Sequence, residues 1–358
     1  MANLYVTSTE AFSGKSATCV GLGLRFRRDG LKVGYMKPVN VAALPGPEGP
    51  QDDDVAFIKE AFELPEPLDV LGPVALTPSR MERLLRGQDT TDYEALLRSA
   101  YDRVHKDRDV IILEGGTTLR EGYLINLPTP RVAEMLDARP LVVIRWDESR
   151  MIDDALASRT RLGEPMIGII LNMVPQNKMG YAEDVIRPFL ERHGIPVFGI
   201  LPQDRLLQAA SVTELAEGLD ANILTCSGSC DVLVENVVVG AMNVDSALSY
   251  FRRTPNKAVI TGGDRADIQL AALETSTRCL ILTGNIMPNP MILTRAEEAG
   301  VPVLLCHQDT LTTVEIVEGY FGRSRFQQRP KIERFTHLLE KHMDFARLYQ
   351  ALGLRSMG

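Results

Sequence analysis

Leu4-Tyr5-Val6-Thr7-Ser8-Thr9-Glu10-Ala11-Phe12-Ser13-Gly14-Lys15-Ser16 runs from an apolar strand through a loop into a helical stretch of small residues, Ala17-Thr18-Cys19-Val20-Gly21-Leu22-Gly23-Leu24. This order suits phosphate binding, because loop N–H groups converge on an anion, Lys15 adds a positive charge and the Ser16 hydroxyl is a magnesium ligand. The match to G-x-x-x-x-G-K-[ST] is incomplete: Thr9 stands where the first glycine belongs. A plain helix start, with Ser16 capping backbone and Lys15 solvated, is the competing reading. The flanking strand and helix favour a nucleotide loop, with Ser8 through Ala17 as its contacts.

A chain of 358 residues is too long for one ordinary core, and two domains are expected. With 45% hydrophobic and 24% charged residues it has the composition of a globular protein. No run approaches the ~20 apolar residues that cross a bilayer, and the amino terminus lacks the pattern of a secretory leader. A cytoplasmic protein without membrane contact is expected. The net charge of −8 argues against nucleic acid as a general partner. Cys19, Cys226, Cys230, Cys279 and Cys306 read as reduced thiols, and Cys226-Ser-Gly-Ser-Cys230 as packing rather than a metal site.

Working outward, Lys32–Met36 reads as a strand that delivers Lys37 to its carboxyl end, the side on which open α/β sheets bind ligands. A Gly/Pro-rich loop over 41–50 leads to Asp52-Asp53-Asp54 and a helix over Val55–Phe62. The three acids either cap that helix or supply a Mg²⁺ carboxylate; Asp54, nearest the apolar residues, is the choice for the metal. Asp109–Leu113 is an uninterrupted strand that ends in Glu114-Gly115-Gly116, and Glu114 is the second metal candidate. Strands over Leu141–Ile144 and Ile167–Leu171, with a helix over Ile152–Leu162 between them, continue a β-α-β alternation and a mainly parallel sheet. Asn172 follows the second of these, placed to read a purine edge or to cap a turn.

In their order and spacing over residues 2–207, these marks resemble the dethiobiotin synthetase family and its cobyrinate amidase relatives. The resemblance implies ATP and Mg²⁺ held by Lys15, Ser16, Asp54 and Glu114. It also implies Lys15 and Lys37 as catalytic cations, in a reaction where ATP activates a carbamate or carboxylate as a mixed anhydride. The chain departs from the family in three places. Ser8 replaces the glycine that opens the family's loop, leaving five residues before Gly14; Asn40-Val41-Ala42 follows Lys37-Pro38-Val39; and Leu76-Thr77-Pro78-Ser79-Arg80-Met81 replaces the substrate segment. Nucleotide binding is expected to survive these changes better than substrate identity.

The second half repeats the grammar. Ala258-Val259-Ile260 runs into Thr261-Gly262-Gly263-Asp264-Arg265-Ala266-Asp267 and a helix over Ile268–Glu274. Thr261, Gly262, Gly263, Asp264, Arg265 and Asp267 form a candidate second anion or effector site. Otherwise this is an ordinary turn in which Asp264 pairs with Arg265. With Gly240-Ala241-Met242 and Thr283-Gly284, residues 212–325 resemble the DRTGG domain. The two domains in this order resemble the non-catalytic amino-terminal portion of long bacterial phosphate acetyltransferases, the chain ending before an acetyltransferase domain. Lys331–Leu352 carries the apolar stripe of one amphipathic helix, which seals a domain or pairs across a dimer.

The expected architecture is α/β: a P-loop nucleotide-binding domain over 1–211, a smaller α/β DRTGG-like domain over 212–325 and a helical tail over 326–358. The expected function is that of a Mg-dependent ATP- or nucleotide-binding regulatory protein that senses nucleotides or small anionic metabolites, as a homo-oligomer. An ATP-dependent ligase or cyclase acting on a small carboxylate is the alternative, and phosphate acetyltransfer the least favoured reading.

Overall fold

Every residue of β1 (Ala2–Ser8) is buried, as a strand covered on both faces of a parallel sheet must be. The computed structural model describes residues 1–41, 44–46, 49–226, 232–323 and 326–354. β1 lies inside a six-stranded sheet with β2 (Val33–Met36), β3 (Val110–Glu114), β4 (Arg139–Arg145), β5 (Gly168–Val174) and β6 (Val197–Pro202), in the order β6-β5-β4-β1-β3-β2. All neighbouring pairs are parallel. The chain leaves β1 for β2 at one edge, returns to β3, then crosses to β4 on β1's other side. The carboxyl ends around β1 are therefore a topological switch point, where doubly wound sheets open a crevice. Helix α1 (Lys15–Arg28) starts there, and α2 (Asp53–Ala61) follows β2 with Asp52 as its N-cap.

A second unit, Asp204–Arg325, has its own five-stranded sheet. Its strands are β7 (Asn222–Thr225), β8 (Asn236–Val239), β9 (Lys257–Gly262), β10 (Thr277–Thr283) and β11 (Val303–Leu305), in the order β7-β11-β10-β9-β8. β8 to β11 run parallel and β7 pairs antiparallel with β11. Apolar clusters cover both faces: Ala258, Ile260 and Ile281 belong to one, and Val259, Leu280 and Leu282 to the other. That is the period-two alternation of a sheet buried on both sides. Helix α3 (Ala266–Leu273) follows β9.

The first unit comprises Met1–Gln203 together with Phe326–Gly358, so its boundary falls somewhat before 211 and the C-terminal segment clusters with it. The single helix expected over Lys331–Leu352 is two, α4 (Arg329–His342) and α5 (Phe345–Leu352). Met343 takes extended backbone and bridges Gly199 on the edge strand β6. The Asp344 amide donates to Phe198 O (2.8 Å), while its carboxylate accepts from Arg347 N (2.9 Å) to start α5. Pairing with an open sheet edge and a strong N-cap thus interrupt a sequence whose apolar period runs straight through. The small residues of α1 admit α4, since a Cβ on Gly21 would lie 2.3 Å from the Leu339 side chain.

Cys19, Cys279 and Cys306 are free buried thiols. Cys226 is disulfide-bonded, which corrects the reading of it as a reduced thiol; the rest of the Cys226–Cys230 reading falls on residues 227–231, outside the described residues. Among the described residues no helix is long and apolar enough to cross a membrane.

Candidate functional site

The loop after β1 is tethered from several sides. Ser8 Oγ donates to Glu10 O and Thr117 O (3.1 Å each), and Glu10 pairs with Arg150 at 3.3 Å. Phe12 is exposed with φ +55°, and Gly14 has φ +92°, a conformation that favours glycine. A Cβ on Gly14 would lie 2.2 Å from Asn172 Nδ2. Asn172 sits within β5 instead of closing it; its Nδ2 donates to Ser13 O (2.8 Å) and its Oδ1 accepts from Met173 N (2.9 Å). The amide therefore anchors the loop. Gly14 gives α1 no side-chain cap, and the buried hydroxyls of Thr9 and Ser13 have no hydrogen-bond partner.

Four segments bring charge to the start of α1. Lys15 Nζ donates to Glu114 Oε1 (2.5 Å), Ser16 Oγ donates to the same oxygen (2.7 Å) and lies 3.2 Å from Asp54 Oδ2, and Tyr35 Oη donates to Glu114 Oε2 (2.8 Å). Burial alone would raise the Glu114 carboxyl, yet Lys15 and Lys37, helped by the Lys15 and Ser16 hydrogen bonds, hold it down at about 2. Burial favours a neutral Lys37, but Glu114, Asp52 and Asp54 outweigh it and raise its pKa. Asp54 is shifted upward, by burial and then by Glu114. The catalytic and metal candidates of the first domain, Lys15, Ser16, Lys37, Asp54 and Glu114, thus belong to one network, with Asn172 against the loop at Ser13 and Gly14.

Two members escaped the sequence reading. Asp52 Oδ2 accepts from Lys37 Nζ and from Asn40 Nδ2 (2.6 Å), while Oδ1 accepts from Asp54 N (2.8 Å) and Val55 N (3.3 Å). Asp54 lies nearest the apolar residues in sequence, but its side chain is 43% exposed and that of Asp52 only 12%. The place of Asp52 as N-cap, the last residue before α2, turns this carboxylate inward. Tyr35 stands two residues before Lys37, and alternate strand residues share a face.

The junction after β9 is arranged differently. Thr261 Oγ1 donates to Gly240 O (3.0 Å). Arg265 does not pair with Asp264; its Nε and Nη2 donate to the two oxygens of Asp267 (3.0 and 3.1 Å), and Nη2 also to Met242 O (3.0 Å). Gly262 O accepts from Gln269 Nε2 (2.8 Å). A Cβ on Gly263 would lie 1.7 Å from Ile286 O, so a carbonyl oxygen fills the space beside that glycine.

Mg²⁺ prefers a few hard oxygen donors and retains water and substrate phosphates around it. Ser16, Asp54 and Glu114 are such donors, while among the described residues no three His, Cys, Asp or Glu side chains form a ready cage. The unpaired Thr9 and Ser13 hydroxyls and the left-handed Gly14 fit a polar ligand in the loop. The first junction therefore fits a phosphate–cation pair, on residues the fold has brought to its switch point.

Residues 2–211 match the AAA domain family, and the chain belongs to it. Residues 214–320 match the DRTGG domain, so a P-loop ATPase-like domain is followed by a DRTGG domain. Among curated relatives, the phosphate acetyltransferase of Pseudomonas aeruginosa is 26% identical over 379 residues, covering 99% of this chain and 52% of the relative. The cobyric acid synthase of Syntrophobacter fumaroxidans is 28% identical, covering 63% and 48% respectively. The chain spans about half the length of these relatives. Among solved structures, cobyrinic acid a,c-diamide synthase from Mycobacterium smegmatis with bound ADP and magnesium is 15% identical, over 57% of this chain and 88% of that one, with a TM-score of 0.37. The CBS and DRTGG domains of Clostridium perfringens pyrophosphatase, complexed with diadenosine tetraphosphate, are 18% identical, over 43% and 73%, with a TM-score of 0.30.

Proposed function

We propose that the chain binds ATP or a related nucleoside triphosphate with Mg²⁺ at the loop after β1, and that this binding is regulatory. One observation carries the reading: Lys15, Ser16, Lys37, Asp54 and Glu114, from four separate segments, meet at the start of α1. Lys15 and Lys37 would compensate phosphate charge, the loop N–H groups would cradle it, and Ser16, Asp54 and Glu114 would hold the cation. Mg²⁺, when bound, neutralises phosphate charge and orients the phosphates. Asn172 keeps the loop in its binding shape. In the second unit, an anionic effector at Thr261–Asp267 would have to draw Arg265 away from Asp267.

The buried, charged Lys37 also supports the reading of an ATP-dependent ligase on a small carboxylate, where it would stabilise a transferring phosphoryl group. Phosphate acetyltransfer draws support from the relatives alone, and an acetyl-CoA plus phosphate assay tests it. For the main reading the test is equilibrium binding of a fluorescent ATP analogue to the purified chain with Mg²⁺. Saturable binding is expected, and Lys15→Ala removes it; no saturable binding of any nucleoside triphosphate defeats the proposal.

A further inference from the structure

The site holds more negative charge than a phosphate-binding loop needs. Two lysines, Lys15 and Lys37, face three carboxylates, Asp52, Asp54 and Glu114, a net formal charge of −1. Each lysine already has a carboxylate partner: Glu114 for Lys15 and Asp52 for Lys37. The second pair is sequestered, with side-chain exposures of 7% and 12%. Asp52 is also fixed from three further directions, by Asn40 Nδ2 on one oxygen and by the Asp54 and Val55 amides on the other. It cannot turn away without uncapping α2, so an arriving triphosphate meets Lys37 with its counter-ion in place.

We infer that Asp52 is a charge-setting, positioning residue that makes the site refuse bare nucleotide and accept it only together with a divalent cation. The inference rests on the nucleotide reading above. Like charges brought together repel strongly where solvent screening is weak, and a dication reverses the sign of the site. Asn40 and the α2 cap keep this veto from relaxing by side-chain rotation.

The test is calorimetric titration of the whole chain with ATP, once with Mg²⁺ and once with EDTA. Binding is expected to weaken by at least about tenfold in EDTA, a difference readily resolved in equilibrium constants. In Asp52→Asn, which keeps a good N-cap, the ratio between the two conditions is expected to shrink several-fold. Asp53→Asn removes the same charge from an exposed neighbour and should leave the ratio unchanged. Asp52→Ser repeats the measurement with a second capping residue, and thermal melting confirms that each variant folds. Metal-free ATP binding within twofold of Mg-ATP, or an unchanged ratio in both Asp52 variants, overturns the inference and leaves the nucleotide reading standing. Absence of saturable binding even with Mg²⁺ defeats that reading and this inference with it.

Discussion

The loop after β1 and the turn after β9 share one sequence grammar, a buried parallel strand, glycine and a helix, and the structure puts it to two uses. At the first, the charges come from distant segments, and Gly14 makes room for an asparagine that shapes the loop. At the second, Arg265 is satisfied by Asp267 on its own turn, and Gly263 makes room for the Ile286 carbonyl. Glycine in both cases marks the close approach of another group. What approaches decides whether the place suits an anion: at Gly14 it is an amide nitrogen that anchors the loop, whereas at Gly263 a carbonyl oxygen presents negative charge.

The sharpest way to break this contrast is to remove one cation from each junction. Lys15→Ala strands Glu114, which is fully buried, without its nearest counter-charge. Breaking a buried pair from one side costs about 3–5 kcal/mol, so the first unit should lose that order of stability in urea denaturation as well as nucleotide binding. Arg265→Ala removes a solvent-screened surface pair and should cost far less than the buried one. Equal losses would show that the two ion pairs are alike and end the comparison.

Adding a methyl group to each glycine sharpens it further. Gly263→Ala must push back the Ile286 backbone, and overpacking of this kind costs about 1–3 kcal/mol. Hydrogen exchange along β9 and β10 should report the loss, with nucleotide binding unchanged. Gly14→Ala places a side chain at φ +92° and against Asn172, with a strain also on the order of 1–3 kcal/mol. Here the measured consequence should be weakened nucleotide binding.

Much of the first site was legible because phosphate chemistry uses few residue types at strand ends, and the parallel fold fixes which ends converge. Lys37 and Glu114 stand at the carboxyl ends of apolar strands and Lys15 in the glycine-lysine-serine loop after a third, positions that a parallel sheet brings together. Asp52 was not legible, since in Asp52-Asp53-Asp54 the charge is the same three times and only the turn geometry selects the inward carboxylate. The pairing of Arg265 with Asp264 expected of an ordinary turn does not form, because Asp267 is equally within reach along the chain and accepts from both Nε and Nη2 of the guanidinium. The C-terminal break was hidden by an apolar period that continues through Met343, while the competing strand edge, β6, lies far away in sequence. For the same reason the small residues of α1 gave no hint that α4 would occupy them.

The smallest effect separates the two units by pH. Glu114 is a buried charge with counter-ions; Lys257, at the start of β9, is fully buried and reaches only neutral groups in its hydrogen bonds, Thr275 Oγ1 (2.8 Å) and Ser276 O (3.1 Å), with the Phe251 ring 5.5 Å away. Burial lowers the Lys257 pKa from 10.5 to about 8. Between those values the unfolded chain binds the proton more tightly, so stability rises with pH from about 8 to 10.5 and is lost again as pH falls through 8. For Glu114, held near 2 against 4.5 when unfolded, the contribution is complete above 4.5 and disappears as the pH falls toward 2. Acid should therefore loosen the first unit, and alkali should tighten the second. Lys257→Met, similar in length and without a charge to bury, should remove the alkaline rise and stabilise the second unit at pH 7 by on the order of 1 kcal/mol. Hydrogen exchange of β8 to β10 at pH 7.5 and 10, corrected for intrinsic exchange rates, reads the difference. A rise of equal size in the variant would mean that Lys257 is not its source, and that a buried cation without a carboxylate is as well accommodated in the second unit as the paired charges are in the first.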